Sequence, residues 1–264
     1  MNRIDLCFQK LRTTNSKAFV AYVVAGDPDL DATLDIVLAL EQAGADIIEL
    51  GIPFSDPLAD GVVNQLGSQR ALASGTTLAG VFRLIESIRK KTSIPLVLFT
   101  YFNPVFSQGV AHFLKTAESA GADGTLILDL PPEEAQSEWI AESPLRRISL
   151  IAPTTPYERM QRILSSSSGF IYYVSREGVT GMQSGLPQNI TKPIQDMRAN
   201  SSLPICVGFG ISNPEQARFV AGIADGVVVG SAIVHKIAQL GKTPDLASNI
   251  HSFVQPLAQA VHYS

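Results

Sequence analysis

The chain has 264 residues, 45% of them hydrophobic and 17% charged, with a net charge of −4. That is enough for one large core, and α/β barrels commonly run to this length as one domain. Lysine and arginine track no helix face: Arg89-Lys90-Lys91 is a short run at an expected helix end, where cations suit the helix dipole, so nucleic-acid binding is not expected. The longest apolar runs are strand length and no signal peptide opens the sequence, which reads as a soluble cytoplasmic protein with no membrane contact.

An amphipathic segment comes first: Ile4, Phe8 and Leu11 share one helical face over residues 3–11, a helix of the right size to plug a barrel bottom. Eight β-rich runs follow, at residues 19–24, 47–51, 96–101, 125–130, 148–151, 170–175, 205–208 and 226–229. They are apolar on both faces, as expected of parallel strands covered by helices. Helical spacing fills the intervals: Leu34, Val37, Leu38, Leu40 and Glu41 before Gly44; Val81, Phe82, Leu84, Ile85 and Ile88; then Met160, Ile163 and Leu164. Asn213-Pro214-Glu215 places an N-cap residue and an N1 proline at a helix start. A final helix is expected over residues 246–261. Eight strand–helix units argue for a (β/α)8 TIM barrel with an extra N-terminal helix and a C-terminal helix, one domain over residues 1–264. A doubly wound open sheet is the alternative, but it does not require eight units and its Gly-x-Gly-x-x-Gly turn is missing after the first strand.

Barrel active sites lie at the C-terminal ends of the strands. Read there, the second strand ends in a carboxylate, Glu49, and the Gly/Pro-rich loop behind it carries Asp56 and Asp60. An ionised acid at the end of an apolar run is expensive unless it is used or paired, and facing carboxylates serve acid–base chemistry. The third strand offers Tyr101 and Asn103, and the fourth Asp129. After strands six, seven and eight come Gly181, Gly210 and Gly230-Ser231. Each glycine alone fits a tight turn equally well. Together, with a helix starting near Ser231, they outline a phosphate site made of backbone N–H groups. Tyr22, Phe99, Tyr172 and Phe209 would form an aromatic wall between the two, or simply pack the barrel core. Cys7 and Cys206 read as reduced structural thiols, and the four histidines have no metal-ligand spacing.

With these residues laid out, the chain resembles the tryptophan synthase alpha chain family nearly end to end. The most specific part is Glu49-Leu-Gly-Ile-Pro-Phe-Ser-Asp-Pro-Leu-Ala-Asp60-Gly61. Ala25-Gly-Asp-Pro28, Tyr101-Phe-Asn-Pro104, Leu128-Asp-Leu-Pro131, Gly178-Val-Thr-Gly181, Gly208-Phe-Gly-Ile-Ser212 and Gly230-Ser-Ala-Ile233 support it by order and spacing. The resemblance implies reversible retro-aldol cleavage of indole-3-glycerol phosphate to indole and glyceraldehyde 3-phosphate, the indole passing to a beta subunit in an αββα complex. It implies no cofactor in this chain, pyridoxal phosphate belonging to the beta subunit. Glu49 would do the acid–base work, Asp60 would accept the indole N–H, and Thr180 would close over the substrate and meet Asp60. Asp56 would shape the loop or face the partner, with Pro53 and Pro57 as stiffeners.

Two departures stand out. The family commonly continues Asp-Gly-Pro-x-aliphatic-Gln, whereas this chain reads Gly61-Val62-Val63-Asn64-Gln65. Val62 replaces a loop-stiffening proline, and Asn64 sets an amide where an apolar side chain usually faces indole, at a cost of roughly 1–3 kcal/mol unless it turns away or finds a partner. The loop after Gly181 is also short. Three other readings remain open at this stage: a subunit retained only to activate its partner, a stand-alone indole-releasing lyase, and another phosphate-using barrel such as a sugar-phosphate epimerase or isomerase.

Overall fold

The computed structural model describes residues 1–131, 134, 143–174, 190–208 and 210–264. Eight parallel strands close into a barrel in chain order: β1 Ala18–Val24, β2 Ile47–Gly51, β3 Leu96–Thr100, β4 Gly124–Ile127, β5 Arg146–Ile151, β6 Ile171–Val174, β7 Ile205–Gly208 and β8 Gly226–Val229. The ring closes where Ala18–Ala21 of β1 pair with Gly226–Val229 of β8. Helices α1 Arg3–Thr13, α2 Leu30–Gln42, α3 Val62–Ala73, α4 Leu78–Arg89, α5 Phe102–Gln108 and α6 Val110–Ala120 accompany the first half. The second half carries α7 Tyr157–Ser166, α8 Thr191–Asn200, α9 Pro214–Ala221, α10 Ser231–Leu240 and α11 Leu246–His262.

Side-chain parity separates two cores. Outward residues such as Phe19, Ala21, Val23, Ile48, Leu50, Leu96 and Leu98 pack under the helices, against Ile36, Val37 and Leu40 of α2 and Val81, Ile85 and Ile88 of α4. Inward residues Ala18, Val20, Ile47, Val97, Leu126, Ile148, Cys206 and Val228, with Phe170 just before β6, fill the lower barrel together with Ile4, Phe8 and Leu11 of α1. The expected plug is therefore in place. Phe8 stacks obliquely on Phe170 with ring centroids 5.8 Å apart. Asn2 caps α1 by accepting from Ile4 N at 2.9 Å, and Arg3 ties the helix to Asp123 at 2.8 Å. Filling the bottom with hydrocarbon leaves the upper barrel as the place for polar side chains.

Most expected elements sit where the residue pattern puts them. The Asn213 side chain accepts from Gln216 N at 2.9 Å and starts α9 as foreseen. The fourth strand is the clear difference. It stops at Ile127 rather than residue 130, because Asp129 Oδ1 accepts the Phe102 N–H at 2.6 Å and draws the chain away from the ladder. Asp129 thus satisfies the first N–H of α5. The third strand likewise ends at Thr100, and Tyr101 leads into α5.

Candidate active site

Glu49 occupies an inward position of β2, in register with Tyr22 of β1 and Val97 of β3. It is fully buried, and among the described residues neither carboxyl oxygen has a hydrogen-bond partner. Burial alone opposes its charge and pushes its pKa up to about 8, so near neutral pH the group holds a proton. Asp60 comes off the loop between β2 and α3 and is buried too, at 7% exposure. Its surroundings differ. The Tyr101 hydroxyl donates to Asp60 Oδ2 at 2.9 Å and accepts from Ala59 N at 3.0 Å, while Gln65 Nε2 donates to Asp60 O at 2.9 Å. Burial leaves the Asp60 carboxyl above the usual carboxylate range, although the Tyr101 hydroxyl and the Asn64 side chain pull the other way.

Both acids line one cavity of about 230 Å³ at the C-terminal end of the barrel. Its walls include Tyr22, Phe99 and Tyr172, so these three expected aromatic residues converge. Tyr22 meets Phe99 edge-on, with centroids 4.9 Å apart. Burial keeps the Tyr22 and Tyr172 hydroxyls neutral, their pKa values well above 10. Two inward glycines make room for them: a Cβ on Gly51 would lie 2.6 Å from the Tyr22 oxygen, and one on Gly208 only 2.3 Å from that of Tyr172. Gly210, Gly230 and Ser231 line the other side of the same cavity. As expected, α10 begins at Ser231, so its first N–H groups lack helical acceptors and its positive end lies there.

Thr180, Gly181 and Phe209 lie outside the described residues. Asp56 is exposed and accepts from Ser55 Oγ at 2.7 Å, as a loop-shaping residue would. Asn64 stays in the cavity wall, its Oδ1 buried and, among the described residues, without a hydrogen-bond partner. Sequence reasoning missed Tyr101 as the donor to Asp60. It also missed Leu128, Leu150, Ala152 and Val174 as cavity walls. For Leu128, Leu150 and Val174 a signal existed, since they share inward parity with Leu126, Ile148 and Tyr172. The cysteines behave as expected of buried thiols: burial pushes Cys7 up to about 12 and Cys206 well above its usual value. Among the described residues no cluster of His, Cys, Asp or Glu is placed to hold a metal, and no helix is long and apolar enough to cross a membrane.

A closed parallel barrel that brings two carboxyl groups of different surroundings into one cavity, beside a helix N-terminus, has the architecture of an α/β-barrel enzyme. The tryptophan synthase alpha chain family model matches residues 8–262. The alpha chain of Geotalea daltonii is 48% identical over 264 residues, covering 99% of both chains, and that of Opitutus terrae is 49% identical over 247 residues, covering 93% of each. Among solved structures, the Legionella pneumophila alpha subunit superposes with a TM-score of 0.89 at 36% identity, covering 99% of this chain and 98% of its own. Mycobacterium tuberculosis tryptophan synthase gives 0.90 at 34% identity, with 99% of both chains covered. The chain belongs to the tryptophan synthase alpha chain family, whose members cleave indole-3-glycerol phosphate to indole and glyceraldehyde 3-phosphate in tryptophan biosynthesis, as part of a complex with a beta subunit.

Proposed function

We propose that Glu49 and Asp60 divide the work of this cleavage. Glu49 gives its proton to indole C3. It then takes the proton of the hydroxyl on the adjoining glycerol carbon as the C3–carbon bond breaks. The bonding electrons return to the ring and restore indole, the carbon–oxygen bond becomes the aldehyde, and Glu49 ends as it began. A carboxyl with a pKa near 8 suits both steps, because it is protonated at the outset and basic enough to accept a proton back. Asp60 accepts the ring N–H and offsets the positive charge on the ring after C3 is protonated. The observation that carries the reading is the pairing of opposite environments in one cavity: Glu49 without any partner, Asp60 held by Tyr101.

The aromatic wall of Tyr22, Phe99 and Tyr172 would hold the ring. Gly210, Gly230 and Ser231 would hold the phosphate with backbone N–H groups and the end of α10, together with Gly181. Phe209 would complete the wall and Thr180 would close over the substrate. The partner would be a beta subunit carrying pyridoxal phosphate, in an αββα assembly in the cytoplasm, with residues 1–264 acting as one barrel domain. Apolar side chains at the site's end of the barrel support a docking role, since Leu58, Val62 and Phe106 are 86%, 59% and 64% exposed.

The test is indole release from indole-3-glycerol phosphate, by the chain alone and with excess beta subunit, with Glu49→Gln and Asp60→Asn as controls. Release that rises with the beta subunit and vanishes in both variants supports the assignment. Release that survives Glu49→Gln rejects it. No release at all, with the beta subunit still activated by the added chain, would make this chain a regulatory partner instead.

A further inference from the structure

Among the described residues, three side chains carry a buried oxygen with no hydrogen-bond partner: Glu49, Asn64 and Thr125. Thr125 points away from the cavity, since its neighbour Leu126 faces the barrel interior and parity alternates along β4. Glu49 and Asn64 line one and the same cavity. The cleavage accounts for Glu49 and leaves Asn64 unexplained. An unpartnered amide oxygen inside a fold is costly, and an apolar side chain of similar size would avoid the cost. A substrate donor that meets the oxygen also removes it.

The place of Asn64 in the fold says which donor. It is the third residue of α3, the helix that follows the loop carrying Asp60. One turn further, α3 packs on α10 and β1: a Cβ on Gly67 would lie 2.9 Å from Val234 Cγ1 and 3.2 Å from Val24 Cγ2. Asn64 therefore stands between Asp60 and the start of α10 at Ser231, the two ends of the cavity assigned to the ring and to the phosphate. Apart from its phosphate, indole-3-glycerol phosphate offers three donors. They are the ring N–H, the hydroxyl on the carbon bonded to C3, and the hydroxyl on the next carbon. Asp60 receives the first and Glu49 takes the proton of the second. The third is kept in the product aldehyde and lies between ring and phosphate. An amide oxygen only accepts, and a hydroxyl can donate to it.

We propose that Asn64 is a specificity residue of this site, its Oδ1 accepting the substrate hydroxyl that does not react. The assignment rests on the division of work between Glu49 and Asp60 and adds a third contact to it. It selects substrates that carry a hydroxyl on the carbon next to the phosphate-bearing one. A site with a buried acceptor aimed at a hydroxyl discriminates against the analogue that lacks it, because the acceptor is then left unpaired.

The test uses two inert analogues, neither of which has the reacting hydroxyl: 3-(indol-3-yl)propyl phosphate and its 2-hydroxy derivative, which keeps only the hydroxyl in question. Their affinities are measured by calorimetry for wild type and Asn64→Leu, with the beta subunit present. Wild type should bind the hydroxylated analogue about tenfold more tightly than the plain one. Asn64→Leu should bind the two alike, with its affinity for the plain analogue undiminished, which also shows that the cavity is intact. Asn64→Val gives the same comparison with a smaller side chain. A wild-type preference below about twofold, or a preference that both variants keep, overturns the proposal. So does a variant that loses affinity for both analogues equally, which would make Asn64 a structural residue. Neither analogue can react, so the comparison is independent of proton transfer. Indole release that survives Glu49→Gln rejects the assignment of the acids, and the binding preference decides Asn64 separately.

Discussion

Glu49 carries a folding cost that grows with pH. In the folded chain burial moves its carboxyl from 4.5, where an unhindered glutamate titrates, to about 8. Between those values the folded state holds a proton that the unfolded state has released, so stability falls as pH rises through the window. Below 4.5 both states are protonated and nothing is lost. Each unit of the window is worth about 1.4 kcal/mol, so the loss reaches on the order of 5 kcal/mol by its upper end. That is a large share of the ~5–15 kcal/mol that holds a domain together. Glu49→Gln removes the titration. Its amide, buried among the same apolar neighbours, adds a penalty of about 1–3 kcal/mol at every pH alike. The informative quantity is therefore the slope. Urea unfolding of both proteins across this range should show the variant gaining on wild type by about 1.4 kcal/mol per unit, while it loses indole release. A difference that stays constant with pH would mean that Glu49 ionises freely in the fold, and the assignment of a standing proton to it would fall.

Tyr101→Phe removes the donation to Asp60 and the acceptor for Ala59 N–H; the loss of about 1–3 kcal/mol should appear as a roughly 5- to 150-fold fall in kcat/KM, with the acid limb moved to higher pH. Gly208→Ala would place a Cβ 2.3 Å from the Tyr172 oxygen, forcing the ring into the cavity; the expected result is a higher KM and a loss of about 1–3 kcal/mol in urea unfolding. Gly210 has φ +79°, so Gly210→Ala should cost roughly 1–2 kcal/mol and weaken inorganic phosphate in a titration while leaving indole binding intact. Arg70→Met leaves Asp27, paired with Arg70 at 2.7 Å and 1% exposed, buried without a partner; unfolding should show a loss of about 3 kcal/mol, the low end of the usual range because Arg70 partly faces water.

The barrel was legible because its strands are apolar on both faces and its first helix carries Ile4, Phe8 and Leu11 on one side, a pattern only a buried plug requires. Glu49 and Asp60 were legible because acids are rare beside apolar runs. Their difference in environment was not, since it depends on contacts between residues far apart in sequence: Tyr101 reaches Asp60 across 41 positions. Asp129 poses a related ambiguity. A carboxylate just past a strand looks the same whether it faces the cavity or the start of the next helix, and here the Phe102 N–H claims it. Asn64, an amide where the pattern suggests an apolar side chain, lines the cavity with its Oδ1 buried and, among the described residues, unpartnered, a cost that the sequence could pose but not resolve.

The different fates of the two acids follow from where each is attached. Glu49 is fixed to a strand, so parity aims it at the barrel axis, where its cross-strand neighbours Tyr22 and Val97 offer it no hydrogen bond. Buried there without a partner among the described residues, it favours the neutral form that the interior tolerates. Asp60 is attached to a loop packed against the end of β3, within reach of a tyrosine and an amide, which keep part of its acidity despite burial. Under the proposed assignment, the same barrel gives Glu49 a proton to lend and Asp60 a hydrogen-bonded oxygen to offer. Retro-aldol cleavage of an indole needs both at once, at C3 and at the ring nitrogen.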